Sequence, residues 1–325
     1  MIWGLLPALV ASTVTAGDVQ QAEPGSVATD VQAAVERAVP YLKAEGQTWM
    51  DKRGCVSCHQ VPFMIWSLTS ANEHGFDVSR EELDQWQSWS TDVVNFVKPE
   101  QKENVDVEKT LTSNIDTMTS LMMAMDPFDG QRQWTETFAD ALIANQEESG
   151  TWKPCGQLPL QKRPSEETTR VTTIWALLAL QNQGSTWPKQ TSALEKIDAG
   201  GEAKSTEWWA SRLLLALARN ERNVVSRLRN TLLEQQNGDG GWGWIVGEAS
   251  DALGTGLALY ALKRCDDMPA ITTASKRATK FLISTQKDDG SWTVNGTKRA
   301  TKAKPTPTAN YWGTAWAVIA LLQAD

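Results

Sequence analysis

The stretch QNGDGGW, residues 236–242, decides the fold of this chain because its spacing recurs twice more. QEESGTW (146–152) and QKDDGSW (286–292) share the pattern Gln-x3-Gly-x-Trp. Each copy follows a segment with apolar residues at helical spacing, as at Val224 and Leu228, and precedes a segment that is apolar almost throughout. Glycine adopts the left-handed backbone conformation readily. Each copy therefore predicts a turn from a polar outer helix into a buried inner helix.

The same alternation of outer and inner helices extends over most of the chain. Two weaker stretches, QNQGSTW (181–187) and EGQTW (45–49), are interpreted as degenerate copies of the turn. Outer helices are predicted near 31–44, 80–97, 134–146, 190–198, 222–236 and 275–286. Inner helices are predicted at 61–68, 113–125, 172–180, 206–218, 251–262 and 311–322. Six such hairpins with no strand pattern predict an all-α fold, a single (α/α)6 toroid over 31–325, whose inner helices surround a central cavity.

These repeats resemble the QW motifs of the squalene–hopene cyclase and prenyltransferase superfamily. The phrase QQNGDGGWGW (235–244), followed by SDALGTGLALYAL (250–262), is especially similar to a cyclase repeat. The resemblance implies an α/α toroid in which each Gln packs on the Trp ring and joins adjacent hairpins. It also accounts for 16 tryptophans beside only three tyrosines. The motif is specific for the fold and not for the chemistry.

The catalytic motifs of that superfamily are missing from the sequence. Squalene cyclases protonate their substrate with a DxDD motif, and this chain has none; Asp288 and Asp289 belong to a repeat turn. Prenyltransferases need an Asp/Cys/His zinc site in their later repeats, whereas His59 and His74 both lie early. A terpenoid cyclase-like enzyme lacking the DxDD acid is therefore kept only as an alternative. Asp116 and Asp251, near the starts of inner helices, are expected to cap those helices rather than face the cavity.

A different chemistry is indicated by CVSCH, residues 55–59, a C-x-x-C-H signature for covalent c-type haem. Cys55 and Cys58 would bind the haem vinyl groups, and His59 would ligate the iron. Met64 is a candidate sixth ligand. Two alternatives stay open: a disulfide or free thiols, and a zinc site that adds Cys155 or Cys265.

The loop at 151–170 is predicted to lie at the rim of the cavity because it follows a repeat turn and precedes an inner helix. Its Lys162 and Arg163 would pair with a haem propionate or with the carboxylate of another ligand. A hydrophobic small molecule in the central cavity, lipid-like or terpenoid-like, is the alternative to haem.

The amino terminus is predicted to direct export. Residues 1–16 have an apolar core and a small-residue cleavage pattern, as in a signal peptide, and 17–30 are expected to form a disordered leader. Export predicts a periplasmic or secreted protein, the setting in which haem is attached and a redox partner protein is met. The net charge of −8 argues against nucleic acid as a partner, and no segment of the mature chain is long enough to span a membrane.

Overall fold

The computed structural model describes residues 27–56, 60–125, 132–301 and 304–323. Within these ranges the chain is helical, and its only β-type pairings are isolated bridges. The α-helices are α1 (Val27–Arg53), α2 (Val61–Glu73), α3 (Arg80–Thr91), α4 (Val107–Thr112), α5 (Ile115–Ala124), α6 (Arg132–Ala144), α7 (Ser165–Asn182), α8 (Gln190–Asp198), α9 (Thr206–Ala218), α10 (Arg222–Glu234), α11 (Ala252–Leu262), α12 (Pro269–Thr285) and α13 (Pro307–Leu321). None of the described helices is long and apolar enough to cross a membrane.

Six of these helices form a closed inner ring. α2 packs on α5, α5 on α7, α7 on α9, α9 on α11 and α11 on α13, and α13 then packs back on α2. Every residue of α11 is buried, as its nearly uniform apolar sequence predicts. α1, α3, α6, α8, α10 and α12 lie outside this ring. The prediction of an all-α single toroid is confirmed, and the short helix α4 is an addition to the six pairs.

The inner helices run parallel, so the ring has two different mouths. One mouth is lined by the last residues of all six inner helices or by those just beyond them: Glu73, Met125, Asn182, Ala218, Arg264 and Leu322. The opposite mouth is lined by residues at or near the starts of inner helices, including Phe63, Asp116 and Glu207. The connection from α1 to α2, which contains Cys55, leads into the first turn of an inner helix and so belongs to this second mouth, called the N-terminal mouth below.

The three Gln-x3-Gly-x-Trp copies make one set of contacts three times. Trp152, Trp242 and Trp292 are at most 1% exposed. Each indole nitrogen donates to a carbonyl near the end of the preceding outer helix, at 2.7–2.8 Å, and each backbone N–H donates to a threonine hydroxyl of the following inner helix. The burial of these tryptophans at turns from outer to inner helices is thereby confirmed.

The glutamine of each copy connects its hairpin to the next one. Its amide nitrogen donates to the carbonyl of the repeat glycine and to a backbone carbonyl at or in the following outer helix: Gln146 to Lys189, Gln236 to Ala274 and Gln286 to Ala34. The last of these bonds joins residues 252 positions apart. It therefore closes the outer layer between α12 and α1.

The repeat glycines are required by both conformation and space. Gly150, Gly240 and Gly290 have φ of +91°, +94° and +80°. A Cβ at Gly240 would lie 2.8 Å from the carbonyl oxygen of Arg277 in α12, and one at Gly290 would overlap the carbonyl oxygen of Arg37 in α1. The outer helices thus approach each other at points where only a hydrogen fits.

The two degenerate copies are not turns of this kind, so that interpretation was wrong. Gly46 lies inside α1, where it makes room for the sulphur of Met64 and the hydroxyl of Tyr311. Gly184 lies in the connection from α7 to α8, which leads outward rather than inward. Gly184 has φ of +68° just beyond the end of α7, and a Cβ there would meet nothing within 4 Å. One glycine thus serves packing and the other a helix end, and the letters alone do not distinguish either from a repeat turn.

The described structure begins with α1 at Val27, four residues before the predicted start of the toroid. The predicted signal peptide, 1–16, and most of the predicted leader lie outside the described residues.

Candidate functional site

Aromatic side chains fill the axis of the toroid. Phe63 and Trp66 of α2 meet Trp316 of α13 with ring centroids 5.6 and 5.3 Å apart. Trp175 of α7 and Tyr260 of α11 contact the same Trp316 at 6.0 and 5.5 Å. These rings come from four of the six inner helices. The centre of the toroid is therefore packed, and the space left for a ligand lies at its ends.

A strap of residues 153–163 crosses the N-terminal mouth. At one side the N–H of Cys155 donates to Asp116 in α5, at 2.7 Å. At the other side Gln161 pairs with Lys298 in an isolated antiparallel bridge, and the N–H of Lys162 donates to the carbonyl of Thr297 at 2.7 Å. The strap thus runs from the α5–α7 side to the segment before α13, on the far side of the ring. The prediction that this loop lies at the cavity rim is confirmed.

A cavity of about 40 Å³ lies beneath the strap. Aromatic side chains form one part of its wall, and the rest consists of polar groups from α5, α7, α9 and the strap together with three apolar side chains. The lining residues are Phe63, Trp66, Asp116, Thr119, Ser120, Met123, Leu158, Arg163, Val171, Thr172, Trp175, Glu207 and Trp312. This volume holds a few water molecules or one small organic group, since a single water needs roughly 10–15 Å³.

Asp116 faces this cavity instead of capping α5. Its carboxylate accepts two short hydrogen bonds, from the N–H of Cys155 and from the hydroxyl of Thr172, each at 2.7 Å. Burial raises the pKa of Asp116 to about 6, while those two bonds and the charge of Arg163 act to lower it. The group is therefore largely ionised at neutral pH and takes up a proton in mildly acidic solution. The capping prediction for Asp116 was wrong, because the strap supplies it with partners from a distant part of the chain.

Asp251 caps α11, as predicted. Its carboxylate accepts from the N–H groups of Gly254 and Trp244, both at 2.8 Å. Burial raises the pKa of Asp251 to about 6 as well. Unlike Asp116, it is not among the residues that line the cavity.

Arg163 forms a buried ion pair at the edge of the cavity. Its guanidinium donates to Glu207 at 2.9 Å, and the two side chains are 1% and 7% exposed. Further bonds reach Thr168 and Ser205. Trp175 donates to the other carboxylate oxygen of Glu207 at 3.3 Å. The charge of Arg163 is therefore already matched within the protein.

Lys162 likewise forms an ion pair with a carboxylate of the chain, that of Glu248, and lies 5.8 Å from the centroid of the Trp244 ring. The expectation that Lys162 and Arg163 meet a ligand's acidic groups conflicts with this arrangement, because both cations have internal partners. Arg163 does line the cavity, as expected of the rim, but it acts there together with Glu207.

Met64 is fully buried between α1 and α13. Its sulphur lies against Gly46, in the space next to the Tyr311 hydroxyl. An iron ligand must present its sulphur to the haem, so the predicted role of Met64 as sixth ligand conflicts with its place in the core.

Cys55 lies at the N-terminal mouth, half-buried and without a disulfide partner among the described residues. Its carbonyl accepts from the indole of Trp49 at 3.0 Å. Burial raises the pKa of the Cys55 thiol, and the nearby cations Lys102, Lys98 and Arg53 oppose the shift. The other predicted haem-attachment residues, Cys58 and His59, lie outside the described residues.

The described residues contain no group of three or more His, Cys, Asp and Glu side chains that would hold a metal ion. Cys155 and Cys265, the proposed additional zinc ligands, are free cysteines half-buried in different parts of the ring. The zinc alternative rests on Cys58 and His59 and therefore stays a prediction.

No protein-family model matches the chain, and no curated protein matches it. Solved structures do resemble it. The type II terpene cyclase MstE from Scytonema (apo) is 10% identical, with a TM-score of 0.60 over 90% of this chain and 98% of that one. A possible member of the GH105 family from Salmonella enterica is 11% identical, with a TM-score of 0.58 over 97% and 98%. An unsaturated glucuronyl hydrolase mutant from Streptococcus agalactiae is 12% identical, with a TM-score of 0.56 over 91% and 90%. At these identities the likeness establishes the shared α/α toroid fold and nothing about activity.

Proposed function

We propose that this toroid is an exported protein that carries a covalent c-type haem on the connection between α1 and α2 and acts in electron transfer or haem-based chemistry. The observation that carries the proposal is the CVSCH signature, 55–59, placed immediately before the first inner helix. The likeness of the repeats to those of squalene–hopene cyclases describes the scaffold in this proposal and not its reaction.

The described surroundings of Cys55 are suited to haem. The half-buried indole of Trp49 donates a hydrogen bond to the Cys55 carbonyl, so an aromatic ring lies next to this residue. Arg53, which stacks over Trp49 at 5.6 Å, and Lys98 and Lys102 bring three positive charges to the same region, beside one negative charge from Glu100. Lys102 donates to the neutral side chain of Asn95 and is not paired with a carboxylate of the described residues. In this proposal the three cations take the propionate-binding role first expected of Lys162 and Arg163, because the latter two are engaged by glutamates.

The haem would supply a one-electron redox centre, and the chain would supply its position. The carbonyl of Asn95 accepts from the N–H of Val56, at 2.6 Å, and a Cβ at Gly54 would contact Pro99. These contacts fix the residues on both sides of Cys55 against the 93–104 segment. The aromatic cluster along the axis keeps the interior closed, so the haem would sit at the N-terminal mouth, within reach of a redox partner protein.

Mass spectrometry of protein exported from a host with cytochrome c maturation tests this proposal. The expected result is a mass increased by one haem and the absorption bands of a c-type cytochrome. Replacing Cys55 and Cys58 together with Ala should abolish covalent attachment. Cys155→Ala is the matched control, since Cys155 lies on the same mouth outside the signature, and it should retain the haem. An unmodified mass would refute the proposal, and bound zinc in that unmodified protein would favour the metal alternative.

The alternative of a lipid-like or terpenoid-like ligand is not supported by the cavity beneath the strap. Sites for such molecules typically measure about 300–1,000 Å³, whereas the cavity beneath the strap measures about 40 Å³. At the N-terminal mouth a ligand of that size would have to displace the strap and part of the aromatic cluster. The recess at the opposite mouth measures about 620 Å³ and would admit such a ligand without that displacement.

A further inference from the structure

The cavity beneath the strap combines an aromatic wall with an excess of negative charge. The rings of Phe63, Trp66, Trp175 and Trp312 line it. Phe63 and Trp312 meet at 6.0 Å with their planes tilted by 56°, and Trp66 and Trp175 meet edge to face at 6.4 Å. The two pairs thus present ring surfaces in several directions around one small space. Aromatic faces attract cations through the negative potential above the ring.

The charges that face the cavity leave one carboxylate uncompensated. Arg163 and Glu207 neutralise each other at 2.9 Å. Asp116 has only neutral hydrogen-bond donors, the N–H of Cys155 and the hydroxyl of Thr172, and Arg163 is its nearest favourable charge. With Asp116 ionised, the cavity therefore carries one more negative charge than positive.

A polar group without a partner lies in the same wall. Thr119 is 3% exposed and lines the cavity, and its hydroxyl oxygen has no hydrogen-bond partner among the described residues. Leaving a buried hydroxyl without a partner costs free energy. A water, or an oxygen atom that a ligand carries into the cavity, would complete the bonding of this hydroxyl.

The kind of cation is limited by the shortage of acceptors. Both oxygens of Asp116 already accept hydrogen bonds, and those of Glu207 accept from Arg163, Trp175 and Trp244. A strongly hydrated ion, such as sodium or a primary ammonium, would lose water here without receiving enough bonds in return. A methylated ammonium has few or no N–H donors to satisfy and binds well to aromatic faces.

We propose that this cavity binds a methylated ammonium head group, with Asp116 as its counter-ion and Phe63, Trp66, Trp175 and Trp312 as its cage. The proposal is independent of the haem proposal, because it uses none of residues 55–59. Leu158 of the strap would cover the bound group. The strap also donates the Cys155 N–H to Asp116, so the segment that covers the ligand is hydrogen-bonded to its counter-ion.

The test titrates the full chain, with its sequence unchanged, with choline and, in parallel, with 3,3-dimethylbutan-1-ol, which has the same shape without the charge. Calorimetry and tryptophan fluorescence report binding, and sodium chloride at equal ionic strength corrects for salt. The expected result is saturable binding of choline that is at least tenfold tighter than that of the neutral alcohol. Equal affinity for the two, or no saturable binding of choline, overturns the proposal without reliance on any variant.

Variants and pH then test the counter-ion. Asp116→Asn should weaken choline binding at least tenfold. Asp251→Asn is the matched control and should leave choline binding unchanged. The Asp251 carboxyl is buried and accepts two hydrogen bonds, as the Asp116 carboxyl does, but it lies outside the cavity lining. Choline binding should weaken as the pH falls through about 6, where Asp116 takes up a proton, with Arg163 and Glu207 as the other charged groups that face it. Circular dichroism checks that each sample is folded. Unchanged binding by a folded Asp116→Asn protein would also overturn the proposal.

Discussion

Replacing Gly290 with Ala should weaken the closure of the ring by an amount that can be divided into two parts. Gly290 has φ of +80°, and an added Cβ would overlap the carbonyl oxygen of Arg37 in α1. The left-handed conformation costs a residue with a Cβ roughly 1–2 kcal/mol. Forcing α1 and α12 apart adds about 1–3 kcal/mol, the usual cost of overpacking. The free energy of unfolding should therefore fall by about 2–5 kcal/mol.

Gly247 provides the control for the conformational part. Its φ is also +80°, but an added Cβ would meet nothing within 4 Å. Gly247→Ala should therefore cost only the roughly 1–2 kcal/mol of the left-handed conformation. Urea unfolding followed by circular dichroism measures both variants, with the slope of the transition compared to verify that the same surface is exposed. If Gly290→Ala is no more destabilising than Gly247→Ala, the close approach of α1 to α12 does not hold the ring together.

Three further predictions concern other buried contacts. Trp242→Ala should lower the free energy of unfolding by about 3–5 kcal/mol, because the side chain is 1% exposed and bonded to Leu232; a near-neutral effect in urea unfolding would contradict its role at the turn. Glu207→Gln should cost about 3–5 kcal/mol, because it leaves the guanidinium of Arg163 buried without its counter-charge; replacing both residues with apolar ones should restore much of this loss. Burial raises the pKa of Asp251 to about 6, so folding takes up a proton at this carboxyl between about pH 4 and 6, and the contribution of Asp251 to stability declines as the pH rises through that window. Asp251→Asn should remove this component from the free energy of unfolding measured in urea at several pH values. An unaltered pH profile would refute the assignment.

The six pairs of helices could be predicted from the sequence because each pair carries its own signal. The outer helices have one apolar stripe, the inner ones are apolar nearly all round, and the Gln-x3-Gly-x-Trp turns mark three of the transitions between them. The contacts of these glutamines with the next hairpin were expected from the resemblance as packing on the Trp ring. In the structure they are hydrogen bonds to backbone carbonyls at or in the following outer helix.

The partners of the charged residues at the mouth could not be predicted, because they come from distant parts of the chain. Glu207 lies 44 positions from Arg163, and Glu248 lies 86 positions from Lys162. Asp116 receives its bonds from residues 39 and 56 positions away. Nothing in the local sequence distinguishes a lysine that binds a ligand from one that forms an ion pair with a glutamate of the same chain. The only signals available were the rim position of the loop and the acidic residues early in the inner helices.

The bond between Gln286 and Ala34 also has a kinetic consequence. Most contacts of the toroid join neighbouring hairpins and form between residues close in sequence, which favours rapid local folding. Closure instead joins α12 to α1 and α13 to α2, and the length-dependent entropy of closing a loop of about 250 residues is about 5 kcal/mol. The contacts of α12 with α1 in the outer layer and of α13 with α2 in the inner layer together offset this entropic cost. Until the last hairpin is synthesised, the sides of the first hairpin that it will cover stay exposed, and exposed apolar surface of this kind favours aggregation.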